Sequence, residues 1–144
     1  QWTTAVKLAS DMASLRVKPD AVTCAATVTA CEKSWQWSRA LGVLNMIEQE
    51  GAIPNVFGYN AAVSACEKGQ RREAGNLWAQ ALHLFRLLRQ QQLQPNVTTY
   101  SALVSSCEKG AEWERAVGLF WQMRSDAVHP NLTAFNAAIA ACRQ

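Results

Sequence analysis

Pro95-Asn96-Val97-Thr98-Thr99-Tyr100-Ser101-Ala102-Leu103-Val104-Ser105-Ser106-Cys107-Glu108-Lys109-Gly110 is one of four versions of the same text in this 144-residue chain. A proline stands at Pro19, Pro54, Pro95 and Pro130, and Asp or Asn follows each one (Asp20, Asn55, Asn96, Asn131). Twelve residues past each proline comes a cysteine, at Cys31, Cys66, Cys107 and Cys142, and three of these open the tripeptide Cys-Glu-Lys. The prolines are 35, 41 and 35 residues apart, so one unit carries six extra residues. A fixed period of this length marks stacked helical units, each packing only on its neighbours.

Within the quoted segment Tyr100, Val104 and Cys107 recur at i, i+4, i+7, the spacing of one helix face. The same positions elsewhere read Cys24/Val28/Cys31, Tyr59/Val63/Cys66 and Phe135/Ile139/Cys142, which predicts a buried stripe in every unit. Gly69 and Gly110 follow the lysine and suit the left-handed residue that ends a helix, with Ser34 in that place in the first full unit. A second helical stripe follows: Trp113/Ala116/Val117/Phe120/Met123, matched by Trp37/Ala40/Leu41/Leu44/Ile47, Trp78/Ala81/Leu82/Phe85/Leu88 and Trp2/Ala5/Val6/Ala9/Met12. The small alanine marks where two helices approach closely, and the tryptophans at 2, 37, 78 and 113 read as core. Trp35 and Trp121 are out of register, fit a surface position and remain unassigned.

The expected fold is therefore all-α: a right-handed solenoid superhelix of stacked antiparallel helix hairpins. Residues 1–20 supply the second helix of a truncated repeat, and 21–55 a full repeat. Residues 56–96 form a repeat with the six-residue insertion, 97–131 a third, and 132–144 the first helix of a truncated one. The insertion falls between Cys66 and Trp78, around Arg71-Arg72-Glu73-Ala74-Gly75-Asn76, at the turn between two helices. Because the sequence starts and stops inside a repeat, it reads as an excerpt of a longer protein, and the excerpt by itself is expected to expose apolar ends at its first and last helices and to self-associate.

Composition narrows the function classes. The net charge of +3 permits a polyanionic partner without demanding one. No apolar run approaches the ~18–20 residues that span a bilayer. The five cysteines lack the short Cys-x-x-Cys pair of a metal site and read as small buried side chains in a reducing compartment. His83 and His129 have no partner at metal or triad spacing, and there is no Gly-rich phosphate loop or pair of working acids. The expectation is a binding protein, not an enzyme, with no metal, no cofactor and no small-molecule substrate.

Pro-Asn-Val-Thr-Thr-Tyr-Ser at 95–101 and Pro-Asn-Val-Phe-Gly-Tyr-Asn at 54–60, on a 35-residue period with an Ala-Leu or Ala-Val step in the second helix, resemble pentatricopeptide repeats. The resemblance covers the whole chain, and Ala-Cys-Glu-Lys-Gly at 65–69 resembles the form seen in algal members. It implies single-stranded RNA as partner, read at about one base per repeat, with other RNA-processing proteins beside it. It also implies a chloroplast or mitochondrion as the location, in organelle gene expression. In the family the fifth residue of a unit reads the base together with the unit's last residue. The fifth positions here are Ala25, Asn60, Ser101 and Asn136, and the last positions Asn55, Asn96 and Asn131, with Asp20 closing the truncated first unit.

By the family's code, Asn60 with Asn96 prefers a pyrimidine, cytosine above uracil, and Ser101 with Asn131 prefers adenine. Ala25 with Asn55 lacks a polar fifth side chain and implies little selection. The second residues Val22, Phe57, Thr98 and Thr133 would flank the bases, and stacking on Phe57 would be worth about 1–3 kcal/mol. Lys33, Lys68 and Lys109 stand at the family's phosphate-contact position.

Simpler roles compete for the same residues. Asn after Pro caps helices, and a lysine at a helix end complements the macrodipole, with the preceding glutamate as a local partner. A polar residue at the fifth position gains nothing from capping, which favours base reading there. A helical-repeat scaffold for proteins or peptides, without RNA specificity, is the alternative from another class.

Overall fold

The computed structural model describes residues 1–70 and 76–143. Among them are eight α-helices: α1 (Trp2–Ser14), α2 (Ala21–Lys33), α3 (Trp37–Gln49), α4 (Val56–Gln70), α5 (Leu77–Gln90), α6 (Val97–Lys109), α7 (Trp113–Ser125) and α8 (Leu132–Ala141). The residues following Pro19, Pro54, Pro95 and Pro130 start the even-numbered helices. Asp20, Asn96 and Asn131 adopt extended backbone and accept from the amide three residues on, at Thr23, Thr99 and Ala134, while Asn55 accepts from Gly58. Each such bond satisfies one of the amides a helix leaves orphaned at its start. The helices α1, α3, α5 and α7 start without a side-chain cap bond.

Helix ends follow one device. The residues Arg16, Trp35, Gly51, Gln92, Ala111 and Ala127 have φ between 57° and 80°. The next amide reaches back to a carbonyl five residues earlier, as in Gln36 to Cys31 (2.9 Å) and Glu112 to Cys107 (2.9 Å). Five of these six left-handed residues are not glycine.

The expectation for Gly69 and Gly110 is thereby corrected. Gly69 lies inside α4, and Gly110 has φ −84°, leaving the left-handed turn to Ala111. The physical reason for these glycines is space. A Cβ on Gly69 would stand 2.7 Å from Trp37 Cδ1 and 2.9 Å from Leu77 Cδ1, and one on Gly110 would press on the Trp78 ring, 3.0 Å from Cγ. Ser34 likewise closes α2 without a left-handed backbone, and Trp35 supplies it.

The even-numbered helices form one continuous layer, α2 on α4 on α6 on α8, and the odd-numbered helices pack against it from the other side. Tyr59, Val63, Cys66, Tyr100, Val104 and Cys107 are buried between the layers together with Leu44, Ile47, Leu88 and Met123. Burying each large apolar side chain contributes about 1.5–3 kcal/mol. Ala40, Ala81 and Ala116 are fully buried where the hairpins close. The Tyr59 hydroxyl donates to Glu48 at the end of α3 (2.6 Å), and that of Tyr100 donates to Asp126, which also holds Arg89 at 2.8 Å. Burial, then the neighbouring carboxylate, raises both phenols above their usual range.

Two stripe expectations fail for one reason. Phe135 and Ile139 are 47% and 60% exposed, Cys142 of the same stripe is exposed rather than buried, and Trp113 is 51% exposed. In the inner units a neighbouring helix covers these positions, Gly69 taking the ring of Trp37 and Gly110 that of Trp78. Although α6 and α7 pack against α8, no further helix follows α8 among the described residues to cover its other face or the Trp113 ring. Of the insertion at 71–76, residues 71–75 lie outside the described residues, and Asn76 is exposed at the start of α5.

Candidate nucleic-acid interface

Each inner unit places its fifth residue and the last residue of the same unit side by side, because the last residue is the cap of the next even-numbered helix. Asn60 Nδ2 donates to Asn96 Oδ1 at 3.1 Å, and Ser101 Oγ donates to Asn131 Oδ1 at 2.9 Å. Thr99 Oγ1 donates to Asn60 Oδ1 at 2.6 Å, and the Asn96 amide donates to Thr99 Oγ1 at 3.1 Å. A polar fifth residue therefore does take part in capping, contrary to the expectation: it hydrogen-bonds to the cap of the neighbouring unit.

The valences left over define what the pair offers. With Oδ1 of Asn131 taken by Ser101 and by the Ala134 amide, its Nδ2 has no partner among the described residues. Ser101 Oγ, having donated, keeps its acceptor lone pairs. That unit presents a donor beside an acceptor. In the preceding unit Asn96 Oδ1 accepts from the Thr99 amide as well as from Asn60, leaving the Asn96 Nδ2 group and one Asn60 N–H as donors. Asn60 and Ser101 are nearly buried, at 6% and 7% exposure, so only their edges face outward.

The remaining residues named from the sequence fall along the same layer. Thr98 and Thr133, one from α6 and one from α8, flank an open notch of about 220 Å³ whose floor includes Ser101, Ala102 and Asn131. A neighbouring notch of about 350 Å³ has Thr133, Asn136 and Ala137 on its wall. Val22 and Phe57 are 69% and 66% exposed at the equivalent positions of α2 and α4. Ala25 is half-buried, and its carbonyl accepts from Thr29 Oγ1 (2.6 Å); Asn55 is also half-buried and serves as a cap. Asn136 is exposed.

The cations depart from the local pairing expected. Lys68 is ion-paired with Glu32 and Lys109 with Glu67, each lysine reaching the glutamate of the preceding unit, not its own neighbour. Ser64 and Ser105 donate to the same two carboxylates, both at 3.1 Å. Lys33 is exposed at the end of α2. The signal for these contacts was present in the sequence, since Glu32, Glu67 and Glu108 repeat as faithfully as the lysines. Periodicity shows that a position matters in every unit, but a partner one unit away is seen only once the layer is stacked.

Burial, the largest cause in each case, pushes the thiols of Cys24 and Cys107 up to about 11 and that of Cys66 up to about 12. Such thiols are protonated and inert at neutral pH. No group of three or more His, Cys, Asp and Glu side chains that could hold a metal ion occurs among the described residues, and none of the helices is long and apolar enough to cross a membrane.

Comparison with protein families matches residues 12–144 to the pentacotripeptide-repeat region of PRORP. The maize pentatricopeptide repeat protein PPR10 superposes with a TM-score of 0.76 at 23% identity, over 97% of this chain and 19% of that one. The PPR domain of Arabidopsis thaliana protein-only RNase P 1, solved in complex with tRNA, superposes with a TM-score of 0.83 at 12% identity, over 99% of this chain and 72% of that one. PPR10 in complex with an 18-nt psaJ RNA element gives 0.73 at 17% identity, over 94% of this chain and 20% of that one. The chain thus spans about a fifth of the length of PPR10. No curated protein matches it.

Proposed function

Because the chain belongs to the pentatricopeptide-repeat family, we propose that it is an RNA-binding module that takes single-stranded RNA along the outer face of α2, α4, α6 and α8, about one base per repeat. It acts as a binding scaffold rather than a catalyst, within an RNA-processing factor of a chloroplast or mitochondrion. The observation that carries this reading is the notch at the α6–α8 boundary. Ser101 and Asn131 are held together there by a 2.9 Å hydrogen bond, between the exposed threonines Thr98 and Thr133.

The free valences at that notch suit adenine. Asn131 Nδ2 donates toward N1 of the base while Ser101 Oγ accepts from N6. At the preceding unit the donors of Asn60 and Asn96 suit the O2 and N3 acceptors of cytosine. Ala25 offers no side-chain polar atom, so the base beside Asn55 is bound with little selection. Phe57, exposed beside that position, supplies a stacking surface. That both comparison proteins were crystallised with RNA supports the same reading.

The test is a fluorescence anisotropy titration with short single-stranded RNAs that vary the two central bases between pyrimidine-adenine and purine-uracil. Asn131→Asp keeps a good helix cap but turns the outward donors into acceptors. Preference for pyrimidine-adenine, lost in the adenine position on Asn131→Asp, is the expected result. Equal weak binding to every RNA, or tighter binding of an acidic peptide, would sink the proposal in favour of a protein-binding scaffold.

A further inference from the structure

We propose that Glu32 and Glu67 set how strongly this surface holds a polyanion, each acting as a built-in counterion that keeps the lysine of the next unit off the nucleic-acid backbone. The proposal rests on the preceding reading of which face meets RNA, and goes beyond it in assigning a role to acidic residues of that face.

Each carboxylate lies against the lysine that a phosphate would have to reach. Lys68 and Lys109 stand one unit apart, on the face that carries the base-reading pairs, and each is ion-paired with the glutamate one unit earlier. The serine one turn before each lysine, Ser64 or Ser105, donates to the same Oε1. A carboxylate fixed by two donors does not swing away easily. Glu67 also borders both the notch that holds Ser101 and Asn131 and the neighbouring one that holds Asn136. A strand entering there meets a negative charge and a lysine whose charge is already matched. The carboxylate Glu67 is only 19% exposed and Glu32 14%, so solvent screens these pairs less than it would on an open surface.

Phosphate contact then requires exchange: the lysine leaves the carboxylate before it reaches the phosphate. Counterion release makes the number of engaged lysines readable, since each phosphate contact on a single strand steepens the slope of log K against log salt by about 0.7. Glu67→Gln keeps an acceptor for Ser105 and removes the charge. The expected result is binding tightened about two- to five-fold, the worth of a partly exposed ion pair, with a slope steeper by about 0.7. Lys109→Ala in the Glu67→Gln background should cancel both gains.

The experiment uses the chain as it stands and two probes. Inorganic polyphosphate carries the charge without bases and reads this inference alone, while the RNA set above reads base selection. Circular dichroism establishes that each variant is folded, and Glu32→Gln, which frees Lys68, repeats the test one unit earlier. Polyphosphate bound more tightly by either folded variant, even with no base preference for RNA, would uphold the counterion role and reject base reading alone. Unchanged or weaker polyphosphate binding by the folded variants would overturn the proposal even if base preference holds. So would unfolding of both variants, which would make the carboxylates structural, or failure of every form to bind polyphosphate.

Discussion

Substituting Gly110 by Ala separates two accounts of why a glycine stands at the end of α6. If it supplied a left-handed residue, Ala would cost about 1 kcal/mol of backbone strain, and Ala111→Gly would do nothing useful. With φ at −84°, Gly110 has no such strain, and a helical alanine would gain about 0.5–1 kcal/mol from reduced chain entropy. Against that gain stands a methyl group placed 3.0 Å from Trp78 Cγ and closer still to Cδ1, where carbon atoms prefer about 3.5–4.0 Å. The ring has little room to retreat, because the Arg115 guanidinium lies 4.9 Å from its centroid. Overpacking of this kind costs about 1–3 kcal/mol, so the net loss is about 0–2.5 kcal/mol with a midpoint of about 1, which is roughly 3–4 °C in Tm for a domain of this size. Ala111→Gly, by contrast, relieves a φ of 59° and should raise stability by up to about 1 kcal/mol. Thermal melts followed by circular dichroism, together with urea titrations, measure both variants. Gly110→Ala at or above wild-type stability, with Ala111→Gly below it, would refute the close-approach account.

Asn96→Ala removes the cap of α6, strands the Thr99 amide and takes away the partner of Asn60, so urea unfolding should show a loss of about 2–3 kcal/mol, against about 1 kcal/mol for Asn55→Ala. The thiols of Cys24, Cys66 and Cys107 are held above their ordinary value and Cys31 is also buried, so Ellman's reagent at about pH 8 should modify Cys142 alone in the folded chain and the other four only after denaturation. Leu132, Phe135 and Ile139 expose a continuous apolar face on α8, 74%, 47% and 60% accessible; sedimentation should show concentration-dependent self-association that Phe135→Glu abolishes.

Nearly all of the helical architecture was legible because it repeats. A tyrosine or cysteine at one position of a unit is weak evidence, but the same position filled by Cys24, Tyr59 and Tyr100 is a buried face, and all three are buried. What the sequence concealed were facts about the space between units. The glycine after Lys109 looks like a helix stop in a linear reading; only stacking reveals the indole of Trp78 lying against it. Glu67 beside Lys68 looks like a local pair, yet a residue and its successor point about 100° apart on a helix, and the partners that meet are Glu67 and Lys109. Trp113 matched Trp37 and Trp78 in register and still lies half in solvent, because burial in a solenoid is conferred by the next unit rather than by the residue's own helix.

The same logic ties the proposed base choice to stability in this array. Beside the base contact proposed for it, Asn60 donates to the cap of α6 and accepts from Thr99, while Asn96 closes the loop through its Oδ1. Recoding that unit by Asn60→Ser shortens the side chain, removes the amide donor to Asn96 and leaves the Thr99 hydroxyl only Asn96 Oδ1, at 3.1 Å, as acceptor, at a cost of about 1 kcal/mol. The Ser101 unit is wired more simply, with one bond to Asn131, and Ser101→Asn retains a donor able to make it. Two units that look interchangeable as proposed readers are thus unequal as structure. Changing the adenine-suited unit into a pyrimidine-suited one should cost less stability than the reverse, and the difference lies in Thr99, whose place in the α8 unit is taken by Ala134.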